Sequence, residues 1–194
     1  MTSHPIPFSD NMVLAILGRR KTQTRRIVKA CAGGKIVGPA GPGLAFELCS
    51  DVDVDRATSI SCPFGVPGDT LFVQETFGIA SISFDPPYTQ VSYMAGGKDI
   101  KISGWNLSTE FISPELTFQW CEPKRMPRWA SRISLRNESV CVEQLMDITK
   151  EDARAEGFSS REAFLKAFRT IYSLGDDANP FVWNIGFKVL EFAR

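Results

Sequence analysis

At 194 residues the chain has room for one domain, or one domain carrying a sizeable insertion, and its 43% hydrophobic content, with 14 Phe and 4 Trp, supports a packed core. Its 22 basic residues balance 22 acidic ones, which argues against a general nucleic-acid coat protein but leaves room for a local basic patch facing a nucleotide. No apolar run approaches the roughly 20 residues of a membrane span, and Met1 to Phe8 is polar and proline-broken, unlike a secretory signal. Cys31, Cys49, Cys62, Cys121 and Cys141 are odd in number and show no metal-ligand spacing, so reduced thiols in a cytoplasmic protein are expected. With His4 as the single histidine, in an N-terminus expected to be mobile, Ser-His-Asp, Cys-His and histidine-rich zinc sites are excluded. Catalysis, if present, falls to Lys, Glu, Asp, Thr, Ser, Tyr or Cys, without metal or cofactor.

In chain order, Ser9-Asp10 reads as a helix cap, and Met12, Val13, Ile16 and Leu17 share one helical face, predicting a helix over about 10–17. Gly18 suits the left-handed residue that ends such a helix. Residues 32–43 are loop-like, Leu44 to Cys49 reads as a short strand, and 50–63 as irregular. The turn at 64–69 precedes a strand over Thr70–Phe77. Residues 78–125 read as an insertion with short strands, one near Gln90–Met94. Strands follow at Arg132–Leu135 and Ser139–Gln144. Thr149 caps a helix over about 150–156 ended by Gly157. Ser159 or Ser160 caps another over about 161–172, with Phe164, Leu165, Phe168 and Ile171 on its apolar face. Phe181 to Phe192 is a long closing strand, with Trp183 in the core. The order predicts an α+β domain, a mixed barrel built from about 70–77, 132–144 and 181–192 with helices packed at its ends.

Charge is concentrated between Ile16 and Arg26, where five of eleven residues are basic. Within that run Lys21 and Thr24 lie three residues apart. Crowding by arginines lowers the pKa of a lysine, and a neutral lysine beside a hydroxyl can generate a nucleophile. The plainer alternative is a solvated basic turn. Because Lys21 lies in a loop, its replacement by alanine is expected to change stability by no more than about 0.5 kcal/mol while removing catalysis. Glu156 sits at a helix C-terminus, where a carboxylate is disfavoured by about 0.3–1 kcal/mol, as suits a general acid. An exposed helix-end glutamate without a role is its alternative. Glu75, in an apolar strand, faces either solvent or a pocket. Arg25 and Arg26 can hold phosphate or carbonyl oxygens, or form a solvated face. Arg128 and Trp129 can grip a phosphate and stack on a base, or the indole can be buried at a strand start.

These residues resemble the ASCH superfamily, a PUA-like β-barrel group of RNA-associated proteins. The resemblance rests on Lys21-Thr22-x-Thr24-x-Arg26 after a short helix, Pro67-Gly68-Asp69-x-Leu71-x-Val73, Asp147-Ile148-Thr149 leading to Ala155-Glu156-Gly157, and the closing strand Val182 to Phe187. It covers about 1–30, 64–77 and 126–194 of a single domain spanning 1–194; 31–63 and 78–125 stand as insertions. The run Met126-Pro127-Arg128-Trp129-Ala130-Ser131-Arg132 also looks like longer phage-associated ASCH-like proteins. Where the family has glycine two residues before the lysine, this chain has Arg19, with Gly18 one place earlier.

Small ASCH members include bacterial N(4)-acetylcytidine amidohydrolases. The resemblance implies that Lys21 acts as base, Thr24 as nucleophile and Glu156 as proton donor, with a small nucleoside as substrate. Arg26, Glu75, Arg128 and Trp129 are the expected substrate-binding residues. Other ASCH members are ribonucleases or RNA binders, so a module gripping single-stranded RNA through the basic loop and Trp129 is the competing expectation. The two readings separate at Lys21: a base needs to be partly buried and neutral, an RNA-binding lysine exposed and charged.

Overall fold

The N-terminus is a strand, not a mobile polar tail. Ser3–Pro7 (β1) pairs in parallel with Thr70–Gln74, and Thr2 anchors to Asp69 through both its backbone N–H and its hydroxyl, at 2.8 and 2.9 Å. Pro5 and Pro7 lack the N–H a central strand requires, but β1 is a sheet edge, where proline is tolerated. The computed structural model describes residues 1–29, 35–41, 43–48, 58–84, 86–103 and 119–192. After β1 come α1 (Asp10–Leu17), β2 (Gln23–Ile27), β3 (Lys35–Gly41), β4 (Leu44–Leu48), β5 (Thr58–Ser61), β6 (Thr70–Gln74), β7 (Phe77–Phe84), β8 (Pro87–Tyr93), β9 (Ile100–Ser103), β10 (Ile133–Gln144), α2 (Lys150–Ala155), α3 (Arg161–Tyr172) and β11 (Phe181–Phe192). The class is mixed α+β, dominated by strands.

The central sheet runs β1-β6-β10-β11-β2. Its ladder leaves β1 and β2 as edges; the side chain of Arg26 links them, Nη2 donating to Pro7 O at 2.5 Å. β10 is one strand where two were expected. Register shifts between Ser134 and Leu135 and between Asn137 and Ser139 bend it against β11, and they interrupt the alternation that marks a strand in sequence. Both expected insertions carry three-stranded sheets, β3-β4-β5 and β7-β8-β9. β3 lies within the stretch expected to be loop; its Gly38 and Gly41 fall at the register shifts against β4. Cys31, Cys49 and part of each insertion lie outside the described residues. Cys62, Cys121 and Cys141 are free thiols.

Among the described residues, three apolar clusters hold these layers. The largest joins α1 to the central sheet through Ile6, Val13, Ile16, Leu71, Ile133, Trp183 and Ile185. A second packs α2 and α3 on the sheet through Leu145, Ala153, Phe164, Leu165, Phe168 and Val182. The third fills the β7-β8-β9 sheet around Phe77, Val91, Tyr93 and Met126. Both α2 and α3 start as expected: Thr149 forms a reciprocal capping box with Asp152, and Ser160 Oγ accepts from Ala163 N–H at 3.2 Å. The end of α1 differs. Gly18 has φ −78°, and Arg19 takes the left-handed turn at φ +54°. Arg19 thus holds a left-handed backbone that glycine adopts more readily than a side-chain-bearing residue.

Candidate active site around Lys21 and Glu156

The turn after α1 is closed by its own backbone. Arg19 N–H donates to Ile16 O at 2.9 Å, and Arg20 and Lys21 both donate to Ala15 O, at 2.8 and 3.1 Å. That reversal aims Lys21 inward, where it is 2% exposed and among the largest fully buried side chains. β2 follows immediately and places Thr24, 3% exposed, opposite Ile185 of β11.

Glu156 arrives from the other side, as the C-cap of α2. Thr22 N–H donates to Ala155 O at 2.8 Å, and Gln23 Nε2 reaches Asp152 O and Oδ1, both at 3.0 Å. Gly157, at φ +92°, lets the chain leave the helix beside the Lys21 turn; a Cβ there would lie 3.1 Å from Ala15 Cβ and 3.6 Å from Lys21 Cβ. The Ala155-Glu156-Gly157 motif thus has a backbone reason: glycine adopts this left-handed conformation without strain, and an added Cβ would be tight against Ala15.

Lys21 Nζ donates to Glu156 Oε2 at 2.6 Å, to Glu156 O at 3.0 Å and to Gln23 O at 2.9 Å. The carbonyl at the helix end is an orphan acceptor, and a cation satisfies it well. Arg25, buried in β2, holds the remaining carboxylates: Nη1 lies 3.4 Å from Glu156 Oε1, Nη2 3.3 Å from Asp152 Oδ2, and Nε donates to Glu143 Oε1 at 2.6 Å. Burial drives the Lys21 pKa below its ordinary 10.5; the Glu156 charge and hydrogen bond pull it back up, and Arg26 and Arg25 push it down further. Arginine crowding, the cause expected from sequence, acts in the right direction but ranks behind burial.

Lys21, Thr24, Arg25, Arg26 and Glu156 line one cavity of about 200 Å³. Its other wall is aromatic, from Phe8, Phe158, Phe164, Phe168 and Tyr172. Three of the expected binding residues lie outside this lining. Glu75 sits just past the end of β6, where the chain leaves the central sheet for β7; it is fully buried and held bidentately by Arg132 Nε and Nη2, both at 2.8 Å. Arg128 is exposed on a 3-10 turn, and the half-buried Trp129 beside it packs on the Phe77–Met126 cluster.

Comparison with protein-family models, with curated proteins and with solved structures found no match. The likeness to the ASCH superfamily therefore rests on this chain's own motifs. Among the described residues no three His, Cys, Asp or Glu side chains gather as metal ligands, and no helix is long and apolar enough to cross a membrane.

Sequence reasoning missed the carboxylates Glu143 and Asp152 and the aromatic wall. Phe164 and Phe168 carried a signal, helical spacing, but that signal reads equally as core. Glu143 and Asp152 carried none, because nothing local distinguishes a carboxylate that meets Arg25 from a solvated one.

Proposed function

We propose that the protein is an amidohydrolase that removes an acyl group from the exocyclic amine of an N(4)-acylated cytosine nucleoside. The observation that carries the proposal is the buried contact of 2.6 Å between Lys21 Nζ and Glu156 Oε2, on the floor of a cavity that Thr24 also lines. The ASCH-like motifs assign roles to the same three residues, and on that reading the bent central sheet is one wall of a PUA-like barrel.

The pair holds both catalytic forms in one proton. Transfer from Lys21 to Glu156 along their hydrogen bond leaves an amine and a carboxylic acid, a base and an acid side by side. A desolvated site favours this uncharged form relative to water. Thr24 Oγ1 attacks the acyl carbon and its proton passes to Lys21. The C–N bond then breaks as Glu156 protonates the departing cytosine amine. Water attacks the Thr24 ester, giving a proton to Glu156, while Lys21 returns its proton to Thr24. The sum is amide plus water to amine plus acid, with the pair restored. In the resting structure all three ammonium donors are engaged and none reaches Thr24, so the attacking geometry forms when substrate enters. The loop's backbone amides at 19–22 are all engaged by carbonyls, so Arg26 holds the oxyanion. The aromatic wall accepts a planar pyrimidine.

An RNA-binding module would keep Lys21 exposed and Trp129 open for stacking, and both side chains are instead packed inward to different degrees. The test is to incubate the protein with N(4)-acetylcytidine and, separately, with single-stranded RNA. Release of cytidine with the RNA left intact is expected. RNA cleavage, or tight RNA binding with every acylcytidine untouched, would transfer the assignment to the other reading.

A further inference from the structure

A second and larger cavity, about 860 Å³, adjoins the first and shares Arg26, Ile171 and Tyr172 with it. β2 and the Lys29 that follows it form one side, and Ile60 to Phe64, at the end of the first insertion, form part of another. Its charged lining is one-sided. Among the described residues Arg26, Lys29 and Lys124 face it, and no carboxylate does. Elsewhere in the interior cations meet carboxylates: Lys21 meets Glu156, Arg25 meets Glu143 and Asp152, and Arg132 meets Glu75. Among the described residues Arg26 meets the carbonyl of Pro7 and the ring of Phe8, 5.1 Å from its guanidinium, and its buried Nε has no hydrogen-bond partner there. A buried guanidinium N–H without an acceptor is costly, and a chain of balanced net charge has no general reason to leave three cations together. An anion with several acceptor oxygens answers all three, and phosphate has that chemistry.

We infer that this cavity is a phosphate subsite continuous with the acyl pocket, so that the substrate is a phosphorylated acylcytosine nucleoside rather than the free nucleoside. The inference rests on the amidohydrolase reading for where the base sits; the phosphate contacts rest on the cations alone. Arg26 stands at the junction, one wall facing the acyl group and the other the phosphate. The same phosphate chemistry belongs to a mononucleotide or to a link in a strand, and the volume leaves room for a sugar and a neighbouring backbone unit.

Binding separates these cases without any turnover. Titration calorimetry would compare cytidine, cytidine 5′-monophosphate and a short oligocytidylate, on the wild type and on the double variant Lys29→Glu/Lys124→Glu. Both lysines are exposed, so the variant is expected to fold, which its thermal unfolding checks; Lys29→Gln/Lys124→Gln is the milder second pair. The monophosphate is expected to bind at least about tenfold more tightly than cytidine, with the advantage lost in either double variant and steepest at low salt. An oligocytidylate that binds no better than the monophosphate identifies a nucleotide; a further gain identifies a strand. Equal affinity for cytidine and its monophosphate, no binding of any phosphorylated probe, or equal weakening of all three ligands in the variants would overturn the subsite. A monophosphate preference in a protein that hydrolyses no acylcytidine would sink the amidohydrolase reading and leave the subsite standing. Equal hydrolysis of acetylcytidine and its monophosphate would do the reverse.

Discussion

Two buried ion pairs, Lys21–Glu156 and Arg132–Glu75, are built from similar parts and differ in what they can do. Each pairs a cation with a carboxylate at 2.6–2.8 Å inside the protein. Arg132 saturates both oxygens of Glu75 and lies with its guanidinium 4.1 Å from the centre of the Tyr93 ring. Burial raises the Glu75 pKa, the Arg132 hydrogen bonds and charge oppose that, and a guanidinium gives up no proton. That pair ties the end of β6 to the start of β10 and is static. Lys21–Glu156 instead opens on a cavity, can exchange a proton between its members, and has Arg25 rather than a second lysine hydrogen bond on the other oxygen. The lesson is that burial of a charge pair does not mark function by itself; an exchangeable proton and an adjoining space do.

Substitutions that treat the two pairs alike are the way to break this contrast. The largest effect is expected at Lys21. Lys21→Ala and Lys21→Arg should each lower acylcytidine hydrolysis by roughly 10²–10⁴, since guanidinium cannot serve as base. Hydrolysis rates of purified variants check this, and full activity in Lys21→Arg would erase the distinction between the pairs. The sequence expectation of a near-neutral stability effect is corrected by the burial: removing the ammonium strands Glu156, and Lys21→Ala should cost about 3 kcal/mol in denaturant titration. Glu75→Ala should cost about 3–5 kcal/mol for the same reason, with kcat close to wild type at a temperature where the variant is folded. A large loss of kcat in that folded variant would make Glu75 part of the chemistry. The smallest effect is expected at Gly157→Ala, about 1–3 kcal/mol, because the new Cβ meets Ala15 in a left-handed backbone. Its activity should fall further than its stability predicts, as Glu156 shifts from Lys21; unchanged kcat would show that this contact tolerates displacement.

The parts legible in the sequence are those that apolar patterning governs. β6, β11, α2 and α3 alternate or repeat as buried elements do, and their caps are local. β2 was hidden because Gln23, Thr24, Arg25 and Arg26 look like a solvated continuation of the basic turn, whereas Thr24 and Arg25 are buried against partners over a hundred residues away. β1 was hidden by Pro5 and Pro7, which read as breakers and are harmless at an edge. Of the site, Lys21 and Thr24 were legible in the basic run and its spacing, Glu156 chiefly through the resemblance, and Arg26 shares their cavity. Trp129 and Arg128 drew notice because an indole beside guanidinium groups suits a base; both lie away from that cavity, the indole half-buried against the β7-β8-β9 cluster.

Thr24 is expected to carry the acyl group during turnover. Wild-type protein quenched during hydrolysis of N(4)-acetylcytidine and mapped by peptide mass spectrometry should show acetyl on the peptide holding Thr24, at that residue and absent from Thr24→Ala. Acetyl on another residue, or wild-type hydrolysis by Thr24→Ala, would contradict it.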